Sequence, residues 1–233
     1  MDIAEKWDRV DWLENARGLA SWADSMPPDN SILLLVRHSH RVTLNTYDEM
    51  VNAGLTELGK KLSFQFGQHI PSHRLTRIFF SFVSRCYETA EEIRKALIER
   101  DATIDEFEPL PTIVGPQNAK DIVWENLEPD GKNVTEFVNW WASGEFSDNM
   151  EPFDEYVQRL REDTIERIRD DSRGVLHIHV THDLCLMSAK RAILERPLRK
   201  EDREPYLGGV GFQVGENDIY LYNQGNTTRI ADW

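Results

Sequence analysis

Histidines and arginines in this chain occupy positions from which they could act together on an anion. Arg37-His38 follows a short apolar run, Arg85 lies just beyond a second, and His182-Asp183 follows a third. Guanidinium groups fit the oxygens of a phosphoryl group and do not lose their charge. A neutral imidazole can attack phosphorus, and a protonated carboxyl group can give a proton to the leaving oxygen. These residue types therefore predict phosphoryl transfer.

The hydrophobic pattern predicts the elements that would hold these residues. Apolar runs at 32–36, 77–80 and 175–181 are typical of buried strands, and segments of helical period separate them. Strands that alternate with helices predict a three-layer α/β/α fold around a mostly parallel sheet. Ligands of such sheets bind beyond the carboxyl ends of the strands. We therefore expect Arg37-His38, Arg85 and His182-Asp183 to meet on one rim.

The helical segments and one hairpin complete the predicted fold. Helices are expected at 3–23, 55–70, 88–100, 134–142, 153–168 and 184–194. Residues 210–214 and 218–222, joined through Gly215-Glu216-Asn217, predict an antiparallel edge hairpin. The glycines at 208, 209 and 211 precede a strand rather than a helix, so they predict a turn and not a phosphate loop.

The middle of the chain is less regular and carries four prolines and three tryptophans between residues 101 and 150. The length of 233 residues suits one large domain. We expect a single domain over 1–233, with 103–150 as an inserted segment that covers the substrate. The tryptophans of this segment, Trp124, Trp140 and Trp141, could line the substrate mouth or pack in the core.

Composition excludes several classes of partner. The 27 basic and 41 acidic residues give a net charge of −14, which disfavours binding to nucleic acid or to an anionic membrane. No apolar run reaches the roughly 18 residues of a membrane span, and the first thirty residues do not resemble a secretion signal. Cys86 and Cys185 do not form a disulfide framework. A cytoplasmic protein that acts on a small phosphorylated molecule is expected; the oligomeric state stays open.

Four segments, in order, resemble the histidine phosphatase superfamily, the group of the acid phosphatases and phosphoglycerate mutases. Residues 34–39 (LLVRHS) resemble its strand that ends in Arg-His-Gly, and residues 55–59 (LTELG) its Leu-Thr-x-x-Gly helix start. Residues 81–90 (SFVSRCYETA) resemble its Ser-x-x-x-Arg-x-x-x-Thr-Ala segment, and residues 180–183 (VTHD) its second histidine motif.

The resemblance implies a role for each matched residue. His38 would carry the phosphoryl group as phosphohistidine, and Arg37, Arg85 and His182 would bind phosphate. Arg41 resembles a further phosphate-contacting arginine of the acid phosphatase branch. Ser39 stands where the family usually has glycine, whose lack of a Cβ allows close approach to the phosphate; its hydroxyl could itself donate to phosphate.

Two carboxyl groups compete as the proton donor. His182-Asp183 resembles the His-Asp pair of the acid phosphatase branch, whose aspartate protonates the leaving group, whereas the mutase-like branch takes its acid from a glutamate of the middle segment. Glu125 is the candidate for that glutamate, and we rank Asp183 above it. No metal or other cofactor is expected. The leading hypothesis is a phosphomonoester phosphatase; a mutase and a non-catalytic phospholigand-binding protein are the alternatives.

The remaining histidines and the cysteines fit structural roles. His177 and His179 alternate along one predicted strand, and we expect them as hydrogen-bonded histidines of the core rather than as ligands. Cys86 and Cys185 are expected as small buried hydrophobic residues.

Overall fold

A computed structural model gives the fold, and it describes residues 2–44, 46–127, 129–169, 174–215 and 218–230. Its centre is one seven-stranded sheet within these residues, in the order β3-β2-β4-β1-β5-β6-β7. The strands are β1 (Ser31–Arg37), β2 (Thr76–Phe80), β3 (Ile104–Pro109), β4 (Leu176–Thr181), β5 (Gly209–Val214), β6 (Ile219–Asn223) and β7 (Asn226–Ile230). The first four strands are parallel, and β5, β6 and β7 continue the sheet antiparallel.

Helices cover both faces of the sheet. They are α1 (Ile3–Arg9), α2 (Glu14–Ser25), α3 (Tyr47–Asn52), α4 (Glu57–His69), α5 (Ser84–Ile98), α6 (Lys120–Asn126), α7 (Val134–Ala142), α8 (Phe153–Arg161), α9 (Arg167–Arg169) and α10 (Asp183–Leu194). Helices α1, α2, α4 and α5 pack in the core of one face, and α7, α8, α9 and α10 in the core of the other.

Strand β1 shows why the sheet is buried on both sides. Leu33 and Leu35 point into one core, and Ile32, Leu34 and Val36 point into the other. A strand with no polar face is typical of a parallel sheet between two helical layers. The three-layer α/β/α fold predicted from the sequence is confirmed.

Most predicted elements are present, with two corrections. Residues 3–23 do not form one helix, because the chain turns to an extended conformation at Val10 (ψ 120°) between α1 and α2. Arg17 donates from Nη1 to the carbonyls of Trp7 and Val10 at this break. The predicted helix 153–168 contains a π-helical stretch over Glu162–Glu166.

The edge of the sheet extends further than the sequence indicated. The predicted hairpin is β5 and β6, although Glu216 and Asn217 of its loop lie outside the described residues. Strand β7 was not predicted; its polar residues NTTRI are mostly exposed, so it lacks the apolar alternation that marks a half-buried strand. Within the described residues, no helix is both long and apolar enough to span a bilayer.

Candidate active site

The carboxyl ends of three parallel strands build the site. The amide of His38, just after β1, donates to the Thr181 carbonyl at the end of β4 over 2.8 Å. The amide of Ser81, just after β2, donates to the Val180 carbonyl over 3.0 Å. Backbone hydrogen bonds thus continue the strand pairing one residue beyond β1 and β2. They fix the backbone positions from which the following side chains project.

The hydrogen bonds of His38 determine its tautomer. Its Nδ1 lies 2.8 Å from the Ser39 carbonyl, which can only accept, so Nδ1 carries the proton. Its Nε2 accepts a hydrogen bond of 3.1 Å from Nε of Arg85, which can only donate. The imidazole is therefore neutral, and its free lone pair, on Nε2, points toward a guanidinium.

The surroundings keep His38 neutral. The pKa of His38 lies well below 6.5, because burial disfavours the charged imidazolium and the nearby charges of Arg85 and Arg37 oppose it further. A nucleophilic histidine needs this neutral form.

The second histidine shares the same arginine. Nδ1 of His182 accepts from Nη2 of Arg85 over 3.1 Å, so its Nε2 carries the proton and donates to Ser81 Oγ over 2.8 Å. The two imidazole rings of His38 and His182 are 5.6 Å apart. Burial, followed by the charge of Arg85, keeps the pKa of His182 well below 6.5.

Arg37 is fixed on three sides. Its Nη2 pairs with Asp183 Oδ2 at 2.9 Å, its Nη1 donates to the Glu204 carbonyl at 2.9 Å, and its guanidinium carbon lies 4.6 Å from the centre of the Tyr206 ring. Its Nε is buried and has no hydrogen-bond partner among the described residues. These contacts hold the guanidinium of Arg37 in one orientation, and an oriented guanidinium suits the binding of an oxyanion.

Asp183 is a carboxylate in the ligand-free protein. Its Oδ2 pairs with Arg37 and, at 3.1 Å, with Arg203, while Oδ1 accepts from the Leu184 amide. Burial acts to raise the pKa of Asp183, but the charges of Arg37 and Arg203 outweigh it and the pKa is lowered. The carboxyl group needs a proton before it can act as an acid.

Three residues of the segment 81–90, spaced four apart, contact the histidine loops. Ser81 holds His182, and Arg85 bridges the two histidines. Thr89 accepts from the Ser39 amide through Oγ1 over 3.0 Å. Residues four apart lie on the same side of a helix, so Arg85 and Thr89 on α5 face the loop that carries His38.

Ser39 directs both of its donors away from the site. Its hydroxyl donates to the Gly59 carbonyl over 2.9 Å, and its amide donates to Thr89. A Cβ on Gly59 would lie 2.0 Å from the His40 carbonyl oxygen, so glycine at the start of α4 allows this loop to pack closely. The structure does not place Ser39 among the phosphate donors expected from the sequence, and we leave it out of that set.

The candidate residues line a small inner cavity of about 100 Å³. Its wall includes the expected Arg37, His38, Arg41, Arg85 and Asp183, whereas His182 lies behind Arg85. Arg41 pairs there with Asp130 at 3.1 Å. Arg37, His38, Arg85, His182 and Asp183, which the sequence predicts on one rim, thus lie close together, and the roles predicted for them in phosphoryl transfer stay predictions.

Helix α6 contributes Trp124, and not Glu125, to the lining of the inner cavity. Trp124 is 45% exposed and lines the cavity, whereas Glu125 is exposed and absent from its lining. Helix side chains one residue apart point in different directions, which separates the two. The structure therefore does not place Glu125 beside His38. Trp141 packs in the core, and Trp140 is 47% exposed.

Several site residues carried no signal in the sequence. Arg203, Tyr206 and the Glu204 carbonyl all contact Arg37 or its partner Asp183, and they come from an irregular segment before β5. Ser81 was part of a matched segment, but its contact with His182 was not foreseen. Irregular segments have no periodicity from which such positions can be inferred.

The two strand histidines and the cysteines are buried as expected, but the hydrogen bonds expected for His179 are absent, since neither of its nitrogens has a partner among the described residues. His177 and His179 are fully buried on β4, and both cysteines are buried thiols. Cys86 Sγ lies 3.5 Å from Nε2 of His182, and burial raises the pKa of Cys86 to about 12. Among the described residues, no group of three histidine, cysteine or acidic side chains could hold a metal ion.

Comparison with known proteins agrees with this geometry. The model of a family described as the histidine phosphatase superfamily, branch 1, matches residues 33–207. No curated protein matches the chain significantly.

Solved structures share the fold at low sequence identity. YhfR of Bacillus stearothermophilus has a TM-score of 0.58 and 20% identity, with 85% of this chain and 98% of that chain covered. Mycobacterial hydrolase 1 has a TM-score of 0.51 and 13% identity over 88% and 98%. A mycobacterial glucosyl-3-phosphoglycerate phosphatase has a TM-score of 0.50 and 13% identity over 87% and 98%. At these identities the likeness establishes the fold alone.

Proposed function

The chain belongs to the histidine phosphatase superfamily, whose members are phosphatases or mutases, and on that premise we propose that it hydrolyses phosphomonoesters through a phosphohistidine on His38. The observation that carries the proposal is the neutral, buried imidazole whose Nε2 lone pair faces Arg85 inside a cavity lined by arginines. The guanidinium of Arg85 lies at Nε2 and can itself bind the phosphoryl group.

The first step transfers the phosphoryl group to His38. The incoming phosphoryl oxygens take over the donors of Arg85, which frees Nε2. Nε2 forms a bond to phosphorus while the bond from phosphorus to the ester oxygen breaks. Nδ1 keeps its proton and continues to donate a hydrogen bond to the Ser39 carbonyl. The guanidinium groups of Arg37, Arg41 and Arg85 line the cavity and are available for the charge on the phosphoryl oxygens.

The leaving alcohol needs a proton, and Asp183 lies on the cavity wall to give it. The carboxylate obtains this proton from the substrate, which enters as the monoanion; the second pKa of a phosphomonoester is about 6. The charge of Arg37 disfavours protonation of Asp183. A bound phosphoryl group offsets that charge, so protonation of Asp183 then costs less free energy. In the second step Asp183, again a carboxylate, accepts a proton from the water that attacks the phosphohistidine.

The shape of the site favours hydrolysis over the two alternatives. A mutase has to exclude water from its intermediate, whereas here the inner cavity adjoins a much larger one lined by partly exposed residues. A binding protein without turnover was favoured mainly by Ser39 in place of glycine, and the hydroxyl of Ser39 points to Gly59 instead of obstructing Nε2.

The covering segment is shorter than 103–150 in this proposal. Strand β3 belongs to the sheet, and α7 packs in the core through Phe137 and Trp141. Of the described residues in 103–150, only those of the stretch from α6 to Lys132 line the cavities, through Val123, Trp124 and Asp130 among others. We propose that this stretch covers the substrate within a single domain.

The decisive experiment traps the intermediate. Brief mixing with ³²P-labelled phenyl phosphate and an alkaline quench should leave label on the wild type and on His73→Ala, a control that removes an exposed histidine. His38→Ala should carry no label and release no phosphate. Phosphate release by His38→Ala at the wild-type rate would rule out the mechanism.

A further inference from the structure

A second, larger cavity opens beside the catalytic residues. This outer cavity has a volume of about 850 Å³ and shares Arg37, Arg41 and Asp130 with the inner cavity. A phosphoryl group alone occupies only a small part of that volume. An ester whose phosphorus lies against His38 therefore has its alcohol portion in the outer cavity.

Two lysines on the wall of the outer cavity pair with no acid that the structure describes. Lys132 and Lys200 are exposed and make no salt bridge within the described part of the chain. The two acids of the same wall are already engaged, since Asp130 pairs with Arg41 and the buried Glu204 pairs with Lys190.

Two further acids act on this wall: Asp183 pairs with Arg37 and Arg203 of the lining, and Glu136 acts from a distance. The pKa of Glu136 is lowered mainly by its hydrogen bond to Thr135, and the charges of Lys200 and Arg203 contribute to the shift. Glu136 is not within salt-bridge distance of Lys200. A cavity wall with a local excess of positive charge stands out in a chain with a net charge of −14.

Another part of the outer cavity wall is aromatic. Tyr206 and Trp12 lie with their ring centres 6.0 Å apart, and His40 lies 5.3 Å from Tyr206. The Tyr206 ring is also 5.7 Å from the ring of His38, so this wall begins beside the nucleophile. Ring faces of this kind bind flat, apolar groups.

We propose that the outer cavity binds a second anionic group of the substrate, so that the preferred substrates are phosphomonoesters whose alcohol has a flat, apolar body and carries a carboxylate or second phosphate. Lys132 and Lys200 bind that second anion, and Trp12 and Tyr206 contact the body between the two charges. The inference rests on the proposed function for the position of the reacting phosphoryl group.

Two isosteric aryl esters test the proposal. In 4-carboxyphenyl phosphate the group opposite the ester is an anion, and in 4-carbamoylphenyl phosphate it is a neutral amide of the same size. The ratio of their kcat/KM values is measured for the wild type and for the double variant Lys132→Gln, Lys200→Gln. The difference in leaving-group acidity cancels when the ratios are compared. Lys61→Gln, Lys95→Gln is the matched control, since it removes the same charge outside both cavities.

The proposal expects the ratio to fall about fivefold in the double variant, as two exposed ion pairs allow, and to stay unchanged in the control. The wild-type ratio should also fall with added salt, because salt screens exposed charges. Equal kcat/KM ratios in the wild type and the double variant would overturn the second-anion site. Release of phosphate from both esters would at the same time support the proposed phosphatase activity, so the two failures can be told apart. If no ester is hydrolysed, the same comparison can be made on binding. Calorimetric titration of both esters into His38→Ala, with and without the lysine substitutions, gives the ratio of their Kd values.

Discussion

Nε of Arg85 donates to Nε2 of His38 over 3.1 Å, so the atom proposed as the nucleophile is held by the arginine proposed to bind its target. The same guanidinium donates to His182. Arg85 therefore orients two imidazoles and suppresses their protonation, and the arrival of a phosphoryl group releases the first of them. Two predictions concern this arrangement and the carboxylate beside it.

Removal of the Arg85 charge should change both rate and pH dependence. In Arg85→Gln we expect kcat/KM to fall by about 10²- to 10³-fold, the usual loss for a donor to a developing oxyanion. Burial and the charge of Arg85 are the largest causes of the low pKa of His38, so this pKa should rise toward 6.5 in the variant. The acidic limb of the kcat/KM profile should then move to higher pH. Arg94→Gln, on the surface of the same helix, serves as control. If the acidic limb of Arg85→Gln coincided with that of the wild type, Arg85 would not be what lowers the pKa of His38.

Asp183→Asn should distinguish poor from good leaving groups. An alkyl phosphate needs a proton on its leaving oxygen, whereas 4-nitrophenyl phosphate does not. We therefore expect a loss of about 10²- to 10⁴-fold for the alkyl ester and a much smaller loss for the nitrophenyl ester. Glu125→Gln should treat the two esters alike, because Glu125 lies outside the cavity lining. If Glu125→Gln instead produced the selective loss, Glu125 would be the acid.

Ser39→Ala should affect stability more than activity. The hydroxyl of Ser39 donates to the Gly59 carbonyl, which also accepts from Ser63 at 2.8 Å. Loss of one of the two bonds should lower the free energy of unfolding by about 1 kcal/mol, measured by urea denaturation. Ser63→Ala, which removes the other bond, should cost a similar amount. A tenfold loss of kcat/KM in Ser39→Ala alone would return Ser39 to the phosphate-binding set.

His179 should make the fold sensitive to acid. It is fully buried, and neither of its nitrogens has a hydrogen-bond partner among the described residues. Burial, and then the charges of His177 and Arg167, keep its pKa well below 6.5. Below about pH 6.5 the unfolded chain therefore binds a proton at this histidine that the folded protein does not bind. The contribution of neutral His179 to the free energy of unfolding is complete above that pH and is lost as the pH falls.

The size of this effect can be measured by denaturation between pH 7 and pH 5. One such histidine contributes a slope of about 1.4 kcal/mol per pH unit below pH 6.5. His179→Leu should flatten the curve by that amount, because leucine fills the site without a titrating group. His73→Gln, which replaces an exposed imidazole, gives the background. A slope unchanged in His179→Leu would contradict the prediction.

The buried pair of Lys190 and Glu204 should be essential to the fold around Arg37. Their side chains are 1% and 0% exposed and 2.7 Å apart, and the Glu204 carbonyl holds Arg37. Lys190→Met leaves a buried carboxylate without its partner, which should cost about 3–5 kcal/mol of unfolding free energy. Addition of Glu204→Gln should restore part of that loss. Lys95→Met, which breaks an exposed pair with Glu92, should cost about 1 kcal/mol or less.

The fold was largely predictable from the sequence because burial leaves a pattern along a chain. The apolar run of β1 indicated a strand buried on both faces, and helix α7 was predicted with its observed bounds. Strand β7 and the break at Val10 were missed. Strand β7 buries no face, and the break depends on a hydrogen bond from Arg17, seven residues away.

The sequence by itself determined which side chains stand at the carboxyl ends of the strands: Arg37-His38 after β1, and His182-Asp183 after β4, with Arg85 in the first turn of α5. The tertiary structure decided what each of them contacts. It turned the Ser39 hydroxyl toward Gly59, left Glu125 outside the cavity, and brought Arg203 and Tyr206 to the site. Periodicity records which face of an element is buried, whereas these contacts depend on how loops from distant parts of the chain pack together.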